Sequence, residues 1–172
     1  ASHGWEHGDD YSRMQPDRAL TRLRDSRRLL EDVTGRAVLG VRTPRLSGCP
    51  AAILTGAGFA YDASPQPAWL RAGVRAFAMP RQPFDEGGLL RVPLSVVPVV
   101  GLPVSWYVFR AAGAGVTGVL ARLSSVGVPY VHLYFHPWEA AHLDRRRARH
   151  PLGWRTGDVW LRSFERLVSK LA

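Results

Sequence analysis

The chain has 172 residues, with 23 Lys+Arg against 14 Asp+Glu, 46% hydrophobic residues and one cysteine. That length suits a single domain over residues 1–172 with a sizeable buried core, and a charged fraction of 22% excludes a disordered polyelectrolyte. One cysteine excludes an internal disulfide framework and any zinc site built on cysteine pairs; no heptad or fixed-period repeat supports a coiled coil or a solenoid.

The formal charge of +9 is carried almost wholly by arginine, Lys170 being the one lysine. Arginines are spread along the chain apart from Arg145-Arg146-Arg147. The pattern reads as a solvated basic surface, with attraction to an anionic glycan or membrane surface as the alternative. No interleaved basic and aromatic RNA motif and no helix-turn-helix signature occurs, so no nucleic-acid partner is expected. No leader pattern opens the chain at Ala1, which reads as a fragment or a processed product.

Residues 3–11, His-Gly-Trp-Glu-His-Gly-Asp-Asp-Tyr, read as a polar loop punctuated by glycine. A helix follows: Ser12 and Gln15 fit a capping box, Pro16 suits a first turn, and Ala19, Leu20, Leu23, Leu30 and Val33 recur at helical spacing before Gly35 stops it. Val38–Val41 reads as a short buried strand, Pro50–Gly56 as a short helix and Phe59–Asp62 as another strand. Pro65–Phe84 is irregular. Leu89–Leu94 is a strand whose Pro93 predicts an edge. The uncharged run from Val92 to Phe109 approaches the length of a membrane span, but Pro93, Pro98 and Pro103 break helical hydrogen bonding, so no transmembrane segment is expected. Trp106–Ser125 reads as a helix weakened by Gly113, Gly115 and Gly118. Tyr130–Phe135 is the clearest strand. Thr156–Leu171 is a late helix, with Val159, Trp160, Phe164, Leu167, Val168 and Leu171 on its buried side.

Strands and helices alternate with connections too long for hairpins, which favours an α/β fold of parallel strands covered by helices. Chemistry in such folds collects beyond the carboxyl ends of the strands. Three polar motifs fall there: the His3–His7 loop, Arg42-Thr43-Pro44, and His136-Pro137-Trp138-Glu139. Four residues apart, the imidazoles of His3 and His7 point the same way in a helical turn and so can share a divalent ion, with a third ligand, usually a carboxylate, still required. His136 ends an apolar strand and precedes a proline, so it is expected to project from a rigid edge; His132, on the same face, competes as a core histidine. An arginine at a strand end, such as Arg42, commonly holds a carboxylate in a two-pronged hydrogen bond, with a surface ion pair as the alternative.

Taken in order, Ala1-Ser2-His3-Gly4-Trp5-Glu6-His7, Leu29–Arg36, Val41-Arg42-Thr43-Pro44, Gly58-Phe59-Ala60-Tyr61-Asp62-Ala63-Ser64, Gly88–Ser95, Tyr134-Phe135-His136-Pro137-Trp138-Glu139 and Arg155-Thr156-Gly157 resemble the NodB-type polysaccharide deacetylases, in particular the bacterial subgroup associated with exopolysaccharide biosynthesis. The resemblance runs from the first residue nearly to the last. It implies a distorted (β/α) barrel, incomplete at its N-terminal strands, and metal-dependent hydrolysis of N-acetyl groups on a polysaccharide or oligosaccharide. By the resemblance His3 and His7 match two ligands of a divalent metal, zinc in first place, which polarises the acetyl carbonyl and acidifies its bound water. His136 matches the general acid, Arg42 the arginine that steadies the base, and Asp62, more loosely, an aspartate that supports the catalytic histidine. The backbone near Arg45 matches the oxyanion site. Trp138 walls the sugar groove or packs beneath the barrel.

The chain also departs from the family pattern. The family's first motif, a strand ending in two aspartates that supply the base and the third metal ligand, lies upstream of the histidine pair and has no counterpart here; Asp9-Asp10 follows His7 and lacks the preceding apolar strand. Arg45 stands where a small residue is usual. The expectation is a deacetylase whose 172-residue segment, taken alone, is inactive or nearly so. A single thiol suits the bacterial cytoplasm and the cell envelope equally. His3, Glu6 and His7 also spell the inverted zinc-peptidase signature, but Gly4 and Gly8 argue against the long helix it needs. The remaining alternative is a degenerate domain that binds glycan, or scaffolds a polysaccharide-synthesis complex, without hydrolysis.

Overall fold

The computed structural model describes residues 1–68, 73–142 and 156–171; the Arg145–Arg147 triplet and Arg155 lie outside them. The chain is mixed α/β and gathers into two compact units, one of Ala1–Gln66 with Pro80–Pro93, the other of Pro67–Met79 with Leu94–Ala172.

In the first unit the long helix α1 spans Pro16–Thr34. Pro16 occupies its first turn, where a missing N–H costs nothing, and Gly35, in the left-handed region, closes it by donating its N–H to the Glu31 carbonyl. The expected capping box is not formed: Gln15 is the N-cap and makes no side-chain bond, while the Ser12 hydroxyl turns to Asp10. Ala19 and Leu23 are buried, Leu20 and Leu30 pack partly against the core, and Val33 is exposed. A four-stranded sheet is built from β1 (Gly40–Val41), β2 (Tyr61–Asp62), β3 (Phe84–Glu86) and β4 (Leu89–Arg91), in the order β1-β2-β4-β3. The first three in that order are parallel, and β3 joins β4 antiparallel. α2 (Ala51–Gly56) lies between β1 and β2 in the chain. β4 therefore has a neighbour on each side and is not the edge that Pro93 predicts; the proline falls beyond the ladder, where no donor is needed. Leu23, Val41, Leu54, Phe59 and Leu89 form the core between helices and sheet. Gly40 pairs in register with Tyr61, and its missing side chain is what admits the Tyr61 ring against the sheet: a Cβ there would lie 1.9 Å from the ring.

The second unit holds a two-stranded antiparallel ribbon, β5 (Val96–Val97) with β6 (Leu102–Pro103), and two helices, α3 (Trp106–Ser124) and α4 (Asp158–Leu171). Gly113 breaks α3 with φ 76 and ψ −179, a conformation open only to glycine, so two helical segments meet there. Phe109, Phe135, Trp160 and Phe164 form an aromatic core, with Trp160 and Phe164 stacked and Phe109 edge-on to both. Along α4 only Trp160 and Leu167 are fully buried; Val159 and Val168 are about half exposed, so the buried stripe is narrower than the apolar sequence predicts. Tyr130–Phe135 forms no regular strand. It runs beside Ser95, whose N–H donates to the His132 carbonyl, but the His132 N–H turns to the Ser95 hydroxyl instead of a backbone carbonyl. Among the described residues the named strands close no barrel. No described helix is long and apolar enough to cross a membrane.

Candidate functional site

The first unit brings the early motifs to the carboxyl ends of its parallel strands, where open α/β sheets carry their chemistry. Ser2 extends the sheet by one residue: its N–H donates to the Gly40 carbonyl at 2.8 Å and its carbonyl accepts from the Arg42 N–H at 2.9 Å. His3 thus leaves directly from the sheet. Its Nδ1 lies 2.7 Å from the Arg42 carbonyl oxygen. A carbonyl only accepts, so Nδ1 carries the proton and the ring's lone pair sits on Nε2. The ring of His7 is 5.6 Å away, tilted by 47°. The backbone between them bends and turns; it is not helical, so the two rings meet through a loop. That also removes the helix an inverted zinc peptidase requires, and Glu6, its candidate base, instead faces Arg22 at 3.4 Å.

The loop is held from below by residues that motif reading passed over. Asp9, nearly buried, accepts from Arg22 on α1 at 2.7 Å and from the Glu6 N–H and the Tyr11 hydroxyl at 3.2 Å each. Burial opposes ionisation of Asp9, but Arg22 and the two other donors outweigh it and hold the carboxyl below the ordinary aspartate range. Tyr11 is buried beneath the loop, and its oxygen accepts the Trp5 N–H at 3.1 Å. Burial, together with Asp9, pushes the Tyr11 phenol up to about 12. The sequence signal was available: an Asp-x-Tyr placed immediately after a glycine-rich histidine loop and before an arginine-bearing helix.

Arg42 directs Nε to the Ala63 carbonyl at 3.1 Å, which ties the ends of β1 and β2 together. Next to it Thr43, fully buried, donates its N–H to the Ser64 hydroxyl at 2.8 Å, and its own hydroxyl donates to the Ser47 carbonyl. Both Asp62 oxygens are engaged within the unit: one accepts the N–H and hydroxyl of Ser64, the other the guanidinium of Arg91. Arg91 also reaches Glu86 at 2.7 Å and the Cys49 carbonyl at 2.9 Å. Asp62 and Arg91 are register partners on β2 and β4, so this buried pair clamps the strands behind the Arg42 loop. Arg45 is exposed, and with Leu46 it takes φ 54, in the left-handed region that costs a side-chain-bearing residue energy. The N–H groups of Leu46 and Ser47 are used inside this turn, on the carbonyls of Thr43 and Pro44.

In the second unit His136 caps the 3-10 turn Pro137–Ala140. Its ring stacks on Trp138 at 4.0 Å between centroids and meets Trp106 and Tyr134 edge-on at 5.0 and 5.7 Å. Trp138 is itself half exposed, so it covers the imidazole on one side and faces solvent on the other. Glu139, completely buried, places Oε1 at 3.1 Å from both the N–H and Nδ1 of His136. The carboxylate beside this histidine is therefore Glu139, three residues on. The sequence reading named it only as the last residue of the His136-Pro137-Trp138-Glu139 motif and gave it no role.

A divalent ion would find in His3 and His7 two imidazoles on one loop, one with its tautomer fixed by a backbone carbonyl, as metal-bound histidines commonly are. Among the described residues no group of three or more His, Cys, Asp or Glu stands ready to complete such a site. No family model, no curated protein and no solved structure matches the chain.

Proposed function

We propose that this chain belongs to a bacterial polysaccharide deacetylase, hydrolysing the C–N bond of N-acetyl groups on an exopolysaccharide or its oligosaccharide precursors. The observation that carries the reading is the His3–Arg42 contact. It aims one imidazole from the carboxyl end of the sheet, with its lone pair on Nε2, beside a second imidazole. His3 and His7 would hold a zinc ion, whose chemistry is to polarise the acetyl carbonyl and acidify water. The base and third ligand are two aspartates on a preceding strand, outside these residues. In the first unit Arg42 steadies that base; for His136, in the second unit, the resemblance implies protonation of the departing amine, and the half-exposed indole of Trp138 offers an apolar face to a sugar ring. Arg45 lies exposed on the loop after β1 and faces the glycan.

Asp62 serves this reading indirectly. With both oxygens committed to Ser64 and Arg91, it fixes the strand ends that carry Arg42.

The test is acetate release from an N-acetylated oligosaccharide with added zinc, by the full gene product and by residues 1–172. Zinc-dependent turnover by the full product that is lost in His3→Ala supports the reading. Absence of turnover in the full product overturns it, and brisk turnover by the 172 residues alone overturns the assignment of the base to a preceding strand. A second reading, a glycan-binding or scaffolding domain without hydrolysis, is favoured by the exposed Arg45, which stands where the resembled family usually has a small residue. It predicts oligosaccharide binding, by calorimetry, that zinc leaves unchanged.

A further inference from the structure

Glu139 has no exposed surface, yet it is acidic and its Oε2 has no hydrogen-bond partner. A buried carboxylate is costly unless something charged or polar requires it. Its backbone is pinned on both sides: the Glu139 N–H donates to the His136 carbonyl at 3.0 Å, and the Glu139 carbonyl accepts the Gly157 N–H at 2.9 Å, just ahead of α4. The carboxylate is thus aimed at His136 by a rigid turn. Oε1 accepts the backbone N–H of His136 and lies 3.1 Å from Nδ1, where an ionised carboxylate can act only as an acceptor. Trp138, Trp106 and Tyr134 enclose the same ring, the first against its face. The indole sets the plane of the imidazole, and the carboxylate sets which nitrogen points away.

We infer that Glu139 is a positioning residue for His136: it holds the proton on Nδ1 and so presents Nε2 as the reacting nitrogen, the role that the sequence reading gave to Asp62. This rests on the deacetylase reading only for what Nε2 then does. In that reaction the Nε2 lone pair first takes a proton from solvent; the imidazolium so formed gives it to the amine nitrogen as the C–N bond breaks, the bonding pair staying on nitrogen. The neutral ring that remains keeps its Nδ1 proton on Glu139 and is already in the correct tautomer for the next cycle.

The tautomer is directly observable in long-range proton–nitrogen-15 spectra of the folded chain, without substrate or metal. His136→Gln assigns the ring signals by their loss. The expected wild-type result is a proton on Nδ1 and a lone pair on Nε2. Glu139→Gln retains an acceptor oxygen and keeps that tautomer. Glu139→Leu, of similar volume, moves the proton to Nε2, the form free histidine prefers. A wild-type ring with its proton on Nε2 overturns the inference, as does a folded Glu139→Leu that keeps Nδ1 protonated. Should the leucine variant not fold, the wild-type and glutamine spectra decide alone, since loss of the Nδ1 proton in either overturns it. Acetate assays report separately: a full gene product without turnover sinks the deacetylase reading and leaves this pairing standing.

Discussion

Arg91 and Asp62 face one another across β2 and β4 as register partners, both nearly buried, with the guanidinium shared between Asp62, Glu86 and the Cys49 carbonyl. A buried ion pair is a weak source of net stability, but breaking one strands a charge where water cannot reach it. Arg91→Met is therefore expected to cost about 3–5 kcal/mol, read from the urea midpoint and slope. The double variant Arg91→Met/Asp62→Leu recovers a large part of that loss, because the orphaned carboxylate goes with it.

Gly40 and Tyr61 make a steric counterpart. The Tyr61 ring fills the space a side chain at residue 40 would take. Gly40→Ala is expected to destabilise by about 1–3 kcal/mol through forced repacking. Adding Tyr61→Ala removes most of the penalty specific to the clash, and a double-mutant cycle on unfolding free energies measures the coupling.

The loop that carries the histidines has a pH signature with two signs. Asp9 has a folded pKa below its unfolded one, so its contribution is present above the ordinary value of about 3.9 and is lost as pH falls through the folded value. Tyr11 is shifted the other way: its contribution is intact below about 10 and is lost as pH rises toward about 12. Asp9→Asn is expected to cost about 1–3 kcal/mol at neutral pH and to flatten the acid limb of a plot of stability against pH. Tyr11→Phe flattens the alkaline limb and, by removing one donor to Asp9, weakens the acid limb in part.

Cys49 is buried, and burial with Asp62 nearby pushes its thiol up to about 11, Arg91 working in the opposite sense. The thiolate is the reactive form. At pH 7.5 or thereabouts, a disulfide reagent should label the folded chain far more slowly than the urea-unfolded chain, by about a hundredfold or more, given both exclusion and the small thiolate fraction. Labelling at the unfolded rate under native conditions would show that the Cys49 pocket opens freely.

Where periodicity was strong, the fold was legible. The spacing of Ala19 and Leu23 and the Pro16 and Gly35 boundaries read directly into α1, and the two late helices fall within two residues of their expected ends. Side-chain chemistry was less legible: Tyr130–Phe135 has every mark of a strand, yet the His132 N–H is taken by the Ser95 hydroxyl and the segment is not a regular strand. Asp62 ends a short apolar run, and its role in the sequence reading came from the family resemblance alone. Its partner Arg91 also ends an apolar run, and matching those two positions as neighbouring parallel strands would have revealed the clamp. The motif residues His3 and Arg42 do meet, His3 from its loop and Arg42 from a strand end, as the sequence placed them; that a ring nitrogen meets a backbone carbonyl depends on the chain's path through the loop.

The interruption at Gly113 divides labour along one rod. The segment from Trp106 to Ala112 supplies rings to the neighbourhood of His136, whereas Thr117 to Ser124 is occupied with packing further along. An unbroken cylinder would make every adjustment of the first half a torque on the second. With a break between them, the residues around the His136 ring can be substituted while the distal half keeps its seat, so change in the first segment comes at little structural expense to the second.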